Sequence, residues 1–220
     1  MSSVKGVVIA VDGPAASGKG TLSKNLANHF GFARLDTGLI YRAVGMKVWN
    51  GGGDFEDKNR AILAAKEVSY YDLDLESLRT ETAGVAASKV AIIPEVRKVL
   101  LTFQRNFLAN PPIGKSGVVL DGRDIGTIVC PGADHKIFLV ASAEVRAARR
   151  FKELQECGSK AIHSHILRDM KDRDARDLSR SVAPLEPAKD AYVLDTSSLD
   201  ADETFVAALN YISTRDRRKR

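Results

Sequence analysis

The chain has 220 residues, which is long enough for one α/β domain with a sizeable core, and its content of 44% hydrophobic and 28% charged residues is ordinary for a soluble globular protein. The first apolar run is short and ends at Asp12, so the sequence predicts neither a secretory leader nor a membrane span. Two cysteines, Cys130 and Cys157, form neither a metal-spaced pair nor a disulfide framework. A reducing, cytoplasmic location is therefore expected.

The net charge of +5 is concentrated at the C-terminus. Residues 215–220 hold five basic side chains and one acid, which give +4, so residues 1–214 carry only +1. We expect residues 213–220 to form a frayed, solvated basic tail and expect no nucleic-acid partner. Binding of nucleic acid through this tail stays as an alternative.

The first predicted strand leads directly into a glycine-rich turn. Residues 7–11 are apolar and mostly β-branched, as in a strand buried on both faces. The turn that follows matches G-x-x-x-x-G-K, in which glycines let backbone N–H groups approach phosphates and the next helix N-terminus adds positive potential. The lysine supplies a mobile charge for the β- and γ-phosphates. The ATP-binding residues predicted here are Gly13, Pro14, Ala15, Ala16, Ser17, Gly18, Lys19, Gly20 and Thr21.

The turn departs from the usual motif at Gly20, where Ser or Thr normally follows the lysine, and the hydroxyl group comes from Thr21. The ending GKGT is typical of nucleoside monophosphate kinases.

Beyond this turn, predicted helices and strands alternate. Helices are expected at 21–30, 39–49, 57–68, 81–92, 94–108, 143–157, 163–180 and 201–212. Further strands are expected within 31–38 and at 118–121, 136–140 and 192–195. The pattern at 69–80 is ambiguous, and we interpret its loose alternation as a small β insert. This alternation predicts a three-layer α/β/α fold with a parallel sheet, like that of P-loop nucleoside triphosphate hydrolases. Ligands of such sheets bind at the carboxyl ends of the strands, where Gly13, Asp36, Asp121 and Asp195 are expected.

The strand at 118–121 has the form of a Walker B strand, because its apolar residues end in Asp121. Asp121 and the Thr21 hydroxyl are the candidate magnesium ligands, with most of the coordination left to the nucleotide and water. Arg123 and Asp124 follow directly, in the run DGRDIG.

Two predicted helices carry arginines at helical spacing: Arg146, Arg149 and Arg150 on one, and Arg173, Arg176 and Arg180 on the other. Either set alone is typical of a solvated helix face. Because they flank a loop tip at 157–159, we interpret the pair as a lid that closes over polyphosphate.

These motifs together resemble bacterial cytidylate kinases over essentially the whole chain. The matching segments are GPAASGKGT (13–21), DTGLIYR (36–42), VAASKVAIIPEVRKVLLTFQR (85–105), DGRDIGT (121–127), KIFLVAS (136–142), RDARDLSRSVAPL (173–185) and LDTS (194–197). The pair DTG-x-x-YR and DGRD-x-GT is specific to this family. The resemblance implies one domain over 1–220, with a monophosphate-binding insert at roughly 38–110 and a short lid at roughly 150–170.

The activity implied by the resemblance is transfer of the γ-phosphate of MgATP to CMP or dCMP by a monomeric enzyme. The implied CMP-binding residues are Thr37, Tyr41, Arg42, Ser88, Arg97, Arg123, Asp124, Arg173, Asp177 and Arg180. The implied catalytic residues are Lys19, Asp121, Arg123, Arg149 and Arg150. A carboxylate and an arginine suit cytosine, since the carboxylate accepts from N4 and the arginine donates to N3 and O2.

The segment at 68–88 is shorter than expected for the bacterial family, whose members often carry a small β-sheet there. The competing hypotheses are another small-molecule P-loop kinase and a non-catalytic nucleotide switch. The chain contains no N-K-x-D motif for guanine, which argues against a GTP-dependent switch.

Overall fold

The computed structural model describes residues 6–156, 158, 161–180 and 182–219. The chain divides into two compact units, which we call the core unit (6–34 and 111–219) and the insert unit (Leu35–Asn110).

A five-stranded sheet in the order β2-β3-β1-β4-β5 forms the framework. Its strands are β1 (Val7–Asp12), β2 (Ala33–Asp36), β3 (Gly117–Gly122), β4 (His135–Val140) and β5 (Tyr192–Asp195). The pairs β1–β3, β1–β4 and β4–β5 are parallel, and helices lie on both sides of the sheet. The predicted P-loop α/β fold is therefore confirmed.

Eight α-helices are assigned within the described residues. They are α1 (Lys19–Phe30), α2 (Thr37–Asn50), α3 (Lys58–Glu67), α4 (Glu81–Val90), α5 (Pro94–Ala109), α6 (Ala143–Glu156), α7 (His163–Leu178) and α8 (Ala201–Lys219). Their bounds agree with the predicted helices to within a few residues, except at the C-terminus. The predicted end of the sixth helix, Cys157, and the loop-tip residue Ser159 lie outside the described residues. No helix in the described ranges combines the length and apolar character that crossing a bilayer requires.

The core unit is built on the apolar run of β1. Ile9 and Val11 pack with Leu22 and Leu26 of α1 and with Ala208 of α8. Helix α1 ends at Gly31, whose φ of 66° is the left-handed conformation that glycine adopts readily at a helix C-terminus. A smaller apolar cluster joins α6 to α7 through Ala147, Leu154, Ile166 and Met170.

The insert unit depends on a close approach of α2 and α4. A Cβ atom added to Gly45 of α2 would lie 2.5 Å from the Cβ of Ala86 on α4, so glycine is required at this crossing. The crossing positions Ser88, two residues further along α4.

The predicted β insert within 69–80 is wrong. This segment forms two 3-10 helices, Tyr70–Asp74 and Glu76–Arg79. The Ser69 backbone N–H and hydroxyl donate to the Asp72 carboxylate at 2.7 and 2.9 Å, and Lys47 Nζ lies 3.0 Å from the same carboxylate. These local side-chain bonds favour a turn over an extended strand.

The expectation of a frayed C-terminal tail is also corrected, because α8 continues through Lys219. Arg215 donates to the backbone oxygen and the carboxylate of Asp190, each at 3.4 Å. Asp216 lies 3.1 Å from Nε2 of the buried His135. These contacts hold the last turns of the helix against the core unit.

Candidate active site

The turn between β1 and α1 has the backbone geometry that a phosphate-binding loop needs. Gly13 has a φ of 144°, and a Cβ atom there would lie 2.2 Å from the backbone oxygen of Leu139. Gly18 has a φ of 93° and precedes the first residue of α1. A side chain at either position would be strained, so the two glycines of the motif are required by the fold itself.

The side chains of Lys19 and Ser17 bind the backbone of the P-loop itself. Lys19 Nζ donates to the backbone oxygen of Pro14 at 2.5 Å, and the Ser17 hydroxyl donates to the same oxygen at 3.0 Å. Both side chains are buried. The lysine charge is thus held within the loop, beside the backbone that is predicted to bind phosphates.

Asp121, at the end of β3, lies beside the start of α1. A Cβ atom at Gly20 would be 3.8 Å from its Oδ2 atom. Arg34 Nη2 lies 3.4 and 3.3 Å from the two carboxylate oxygens of Asp121, and its Nε donates to the Ser23 hydroxyl at 2.7 Å. The sequence reasoning did not identify Arg34. The sequence feature that could have revealed it is a charged residue between Ala33 and Leu35, within a short and otherwise apolar predicted strand.

This neighbourhood fits a magnesium ion. Thr21 is exposed on the first turn of α1, and the Asp121 carboxylate lies against the residue before it. A hydroxyl and a carboxylate are the oxygen ligands that magnesium prefers, and one or two protein ligands suffice when phosphates and water complete the shell.

Asp12, the last residue of β1, was noticed in the sequence only as the end of an apolar run. Asp12 is 5% exposed, and its carboxylate accepts hydrogen bonds from the backbone N–H groups of Ile125 and Gly126, at 2.8 and 2.7 Å. Burial raises the pKa of Asp12 to about 6, although the two amides and Lys19 lower it. An acid at the end of an otherwise apolar strand, next to the first P-loop glycine, was the available signal.

Three of the predicted CMP-binding residues form one cluster in the core unit. The Asp177 carboxylate accepts from Arg123 Nε at 3.0 Å and also pairs with Arg180. Asp177 is 1% exposed. Burial would raise the pKa of Asp177, but Arg123, Arg180 and Arg173 together hold it below its usual value. The cluster ties the loop after β3 to the C-terminal half of α7.

Arg146, which the sequence places on an arginine-rich helix face, is buried in the structure. It donates to the backbone oxygens of Ala141 and Ala15, at 2.9 and 3.3 Å. Its two terminal nitrogens also bind both carboxylate oxygens of Asp174, at 3.2 and 2.6 Å. Arg146 therefore links the P-loop backbone to α7.

Arg149 and Arg150 differ in their contacts. Arg149 donates to the backbone oxygens of Thr196 and Leu199, at 2.5 and 3.1 Å, and to the Thr196 hydroxyl. That hydroxyl in turn lies 3.1 Å from the backbone oxygen of Ser17. Arg150 pairs with Glu153 at 2.8 Å. Arg149 is thus connected to the P-loop through Thr196. The lid role of both arginines stays a prediction.

Of the other predicted CMP-binding residues, Asp124 and Arg173 lie in the core unit, where Asp124 is buried, and the insert unit holds the rest. Thr37 begins α2, Ser88 lies on α4, and both are buried. The Arg97 guanidinium carbon lies 5.6 Å from the centre of the Tyr41 ring, and Arg97 Nη1 donates to the backbone oxygen of Ala91 at 3.3 Å. Arg42 Nη1 donates to the backbone oxygens of Leu78 and Thr80, at 2.7 and 3.2 Å. Each unit thus carries one part of the predicted site.

The family profile described as "Cytidylate kinase" matches residues 9–214 of this chain. The cytidylate kinase of Paramagnetospirillum magneticum is 59% identical over 208 residues, which are 94% of this chain and 98% of that protein. The cytidylate kinase of Rhodospirillum rubrum is 52% identical over 212 residues, which cover 96% of this chain and 100% of that protein.

Solved structures show the fold alone. An uncharacterized protein from Eubacterium ventriosum has a TM-score of 0.53 at 13% identity, covering 94% of this chain and 98% of its own. A gluconokinase from Sinorhizobium meliloti has a TM-score of 0.51 at 15% identity, covering 96% and 93%.

Proposed function

This chain belongs to the cytidylate kinase family, and we propose that it transfers the γ-phosphate of MgATP to CMP or dCMP, giving ADP and CDP or dCDP. It is a nucleoside monophosphate kinase with ATP as the donor and cytidylate as the acceptor. The observation that carries this function is a P-loop in the same unit as the cluster of Arg123 and Arg180 around Asp177. Two separate cationic groups suit a reaction between two phosphorylated ligands.

The donor side of the proposal rests on the P-loop. Residues Gly13–Thr21 bind the phosphates of ATP through backbone N–H groups, and Lys19 moves from Pro14 to the β- and γ-phosphates. Thr21 and Asp121 would hold a magnesium ion, which would supply positive charge to neutralise the phosphates. Arg34 keeps the Asp121 carboxylate oriented toward the start of α1.

The acceptor side divides between the units. In the proposal Tyr41 and Arg42 of the insert unit and Arg123 of the core unit hold the monophosphate. Thr37, Ser88, Arg97 and Asp124 read the cytosine ring. Arg173 and Asp177 lie by the sugar, and Arg180 supports the base and the phosphate. The buried Asp177 supports this arrangement, since it fixes the side chains of Arg123 and Arg180 before any ligand arrives.

The chemistry needs alignment more than proton transfer. The attacking group is a phosphate oxyanion of CMP, which requires no strong general base. Catalysis then consists of aligning the two nucleotides, excluding water and neutralising charge on the transferring group. Lys19, Arg123, Arg149 and Arg150 are the proposed cations, and Asp121 is a proposed ligand that would hold a magnesium ion. A single arginine that reaches the transferred group can contribute on the order of 10³–10⁵ in rate.

We further propose that the enzyme is a cytoplasmic monomer with small-molecule partners and no nucleic acid or membrane partner. The sparse cysteines support the location, the near-neutral charge of residues 1–214 supports the absence of a nucleic-acid partner, and the monomeric state rests on the family resemblance.

The test is ADP release from MgATP in the presence of CMP, dCMP, UMP, AMP or GMP, for the wild type and for Asp124→Ala. We expect CMP and dCMP to be the preferred acceptors. Loss of a hydrogen bond to a charged group predicts a fall of about 10- to 100-fold in kcat/KM for CMP in the variant, with less effect on UMP.

The matched control is Asp134→Ala, which removes a carboxylate that binds the Val8 N–H at 3.0 Å, at the opposite end of β1. This variant should keep the preference for CMP. Equal turnover with AMP or GMP would refute the acceptor assignment. ATP binding without stimulation by any monophosphate would favour the nucleotide switch instead.

A further inference from the structure

We propose that Asp12 is a positioning residue that locks the loop after β3 to the start of the P-loop, and so aligns the acceptor nucleotide with the γ-phosphate. The inference rests on the proposed function and extends it to a residue outside the predicted binding set.

Contacts with Asp12 hold the segment of Arg123 and Asp124 at both of its ends. Gly122, the last residue of β3, is in register with Asp12 in the parallel ladder. The chain returns to Asp12 at Ile125 and Gly126, whose N–H groups bind both oxygens of its carboxylate. Only Arg123 and Asp124 lie between these two attachments. These are the residues to which the proposal assigns the acceptor's phosphate and base.

Asp12 is also joined through the backbone to the P-loop, which is the proposed binding site of the donor ATP. Asp12 is followed directly by Gly13, whose backbone packs against the Leu139 oxygen too closely for any side chain. The end of β1 therefore cannot move without moving the P-loop. One side chain thus sets the distance between the loop that carries Arg123 and Asp124 and the loop predicted to hold the ATP phosphates.

The loop side is shaped to accept this carboxylate. A Cβ atom at Gly126 would lie 3.4 Å from Asp12 Oδ2 and 3.2 Å from Cδ of Lys136. The turn Ile125–Val129 that follows is π-helical, an uncommon geometry frequent at functional sites. A methyl group at 126 would therefore contact one carboxylate oxygen of Asp12 and would require the Lys136 side chain to shift.

Ionisation of Asp12 matters because only the carboxylate accepts from two N–H groups at once. Protonation places an O–H opposite one of the amides. The charged groups that act on Asp12 are Asp124, which opposes its ionisation, and Lys19, which favours it. Since burial raises the pKa of Asp12 to about 6, the clamp weakens as the pH falls through that value.

The experiment compares the wild type with Asp12→Asn, which keeps the shape but turns an NH₂ group toward one amide. We expect a fall of about 10- to 100-fold in kcat/KM for CMP at pH 8, because small misplacements of reacting groups have effects of this size. Discrimination between CMP and UMP should also fall. The dissociation constant of ATP should change much less.

The pH dependence of kcat/KM distinguishes a positioning role from a merely structural one, because a purely structural defect would not depend on the ionisation of Asp12. The ratio of wild-type to variant kcat/KM should approach one as the pH falls from 8 to 5, because protonated Asp12 resembles asparagine. Taking the ratio removes the titration of the substrate's own phosphate.

Asp134→Asn is the matched control, since it changes a carboxylate that binds a backbone N–H of the same strand, at its other end. Its ratio to the wild type should not vary with pH. If Asp12→Asn behaves like Asp134→Asn, the positioning role is refuted. If the wild type does not phosphorylate CMP, the proposed function fails first and separately. Should Asp12→Asn fail to fold, Gly126→Ala places a methyl group against Asp12 Oδ2 and the Lys136 side chain, and it should lower kcat/KM for CMP in the same direction by a smaller factor.

Discussion

The ion pair of Arg146 with Asp174 should be among the most sensitive contacts of the core unit. Both terminal nitrogens of the arginine bind the carboxylate, and the side chains are 5% and 19% exposed. Removing one partner of a buried ion pair costs about 3–5 kcal/mol, because the other charge is left buried. Asp174 keeps some access to water, so we expect Arg146→Ala to lower the free energy of unfolding by about 3 kcal/mol.

A change of that size should lower the melting temperature by about 6–12 °C in a protein of this length. The assay is thermal and urea unfolding of the wild type, Arg146→Ala, Asp174→Asn and the double variant. Groups in direct contact show coupling energies of about 0.5–3 kcal/mol in such a cycle, and we expect the upper part of that range.

The chain contains its own control for this experiment. Lys171 of α7 lies 3.4 Å from Glu144 of α6, so this pair joins the same two helices, but its side chains are 56% and 66% exposed. Lys171→Ala should leave the melting temperature essentially unchanged. Equal effects of Arg146→Ala and Lys171→Ala, or strictly additive effects of Arg146→Ala and Asp174→Asn, would refute the reasoning from burial.

Two other measurements test the ionisation of Asp12 and the role of the basic C-terminus. The pKa of Asp12 rises from an ordinary value of 3.8 to about 6, so the folded protein binds the extra proton between these values. Protonation of Asp12 therefore stabilises the folded state fully below pH 3.8. As the pH rises through 6 this stabilisation is lost, and the free energy of unfolding falls by about 3 kcal/mol. Urea unfolding should show this loss in the wild type and not in Asp12→Asn; parallel pH profiles would contradict it. Deleting residues 217–220 keeps Arg215 and its contact with Asp190, and turnover should not change. A protein that bound RNA through this end would instead lose affinity and salt dependence.

The parts of the site that could be predicted from sequence are those whose chemistry is local. The P-loop depends on glycines a few residues apart, and the positive φ values at Gly13 and Gly18 are conformations that glycine adopts readily. The parallel sheet followed from the alternation of apolar strands with helices. Asp121 could be placed because a strand that ends in an acid carries that acid to the edge of the sheet.

The contacts that could not be predicted join residues far apart in the chain. Asp12 binds an amide 113 residues away, and Arg146 binds a P-loop carbonyl 131 residues away. Neither spacing leaves a pattern in one sequence. The extension of α8 has the same cause, because the contact between Arg215 and Asp190 depends on the packing of the folded core unit. The 3-10 helices after Ser69 were missed for a different reason, since the local bonds of Ser69 and Lys47 to the Asp72 carboxylate outweighed a loose alternation of leucines and tyrosines.

The P-loop is held in place from three directions. Asp12 fixes its start to the loop after β3, Arg146 binds the Ala15 oxygen from α6, and Thr196 contacts the Ser17 oxygen from the segment after β5. Each contact satisfies a backbone group or an adjoining side chain without using the N–H groups that are proposed to bind phosphate. A loop ordered in this way loses little conformational entropy when ATP binds, so more of the binding energy is available for aligning the two nucleotides. Since Arg146 and Asp12 also contact the elements that carry the arginines, the same side chains that order the donor loop constrain the proposed acceptor-binding residues of the core unit.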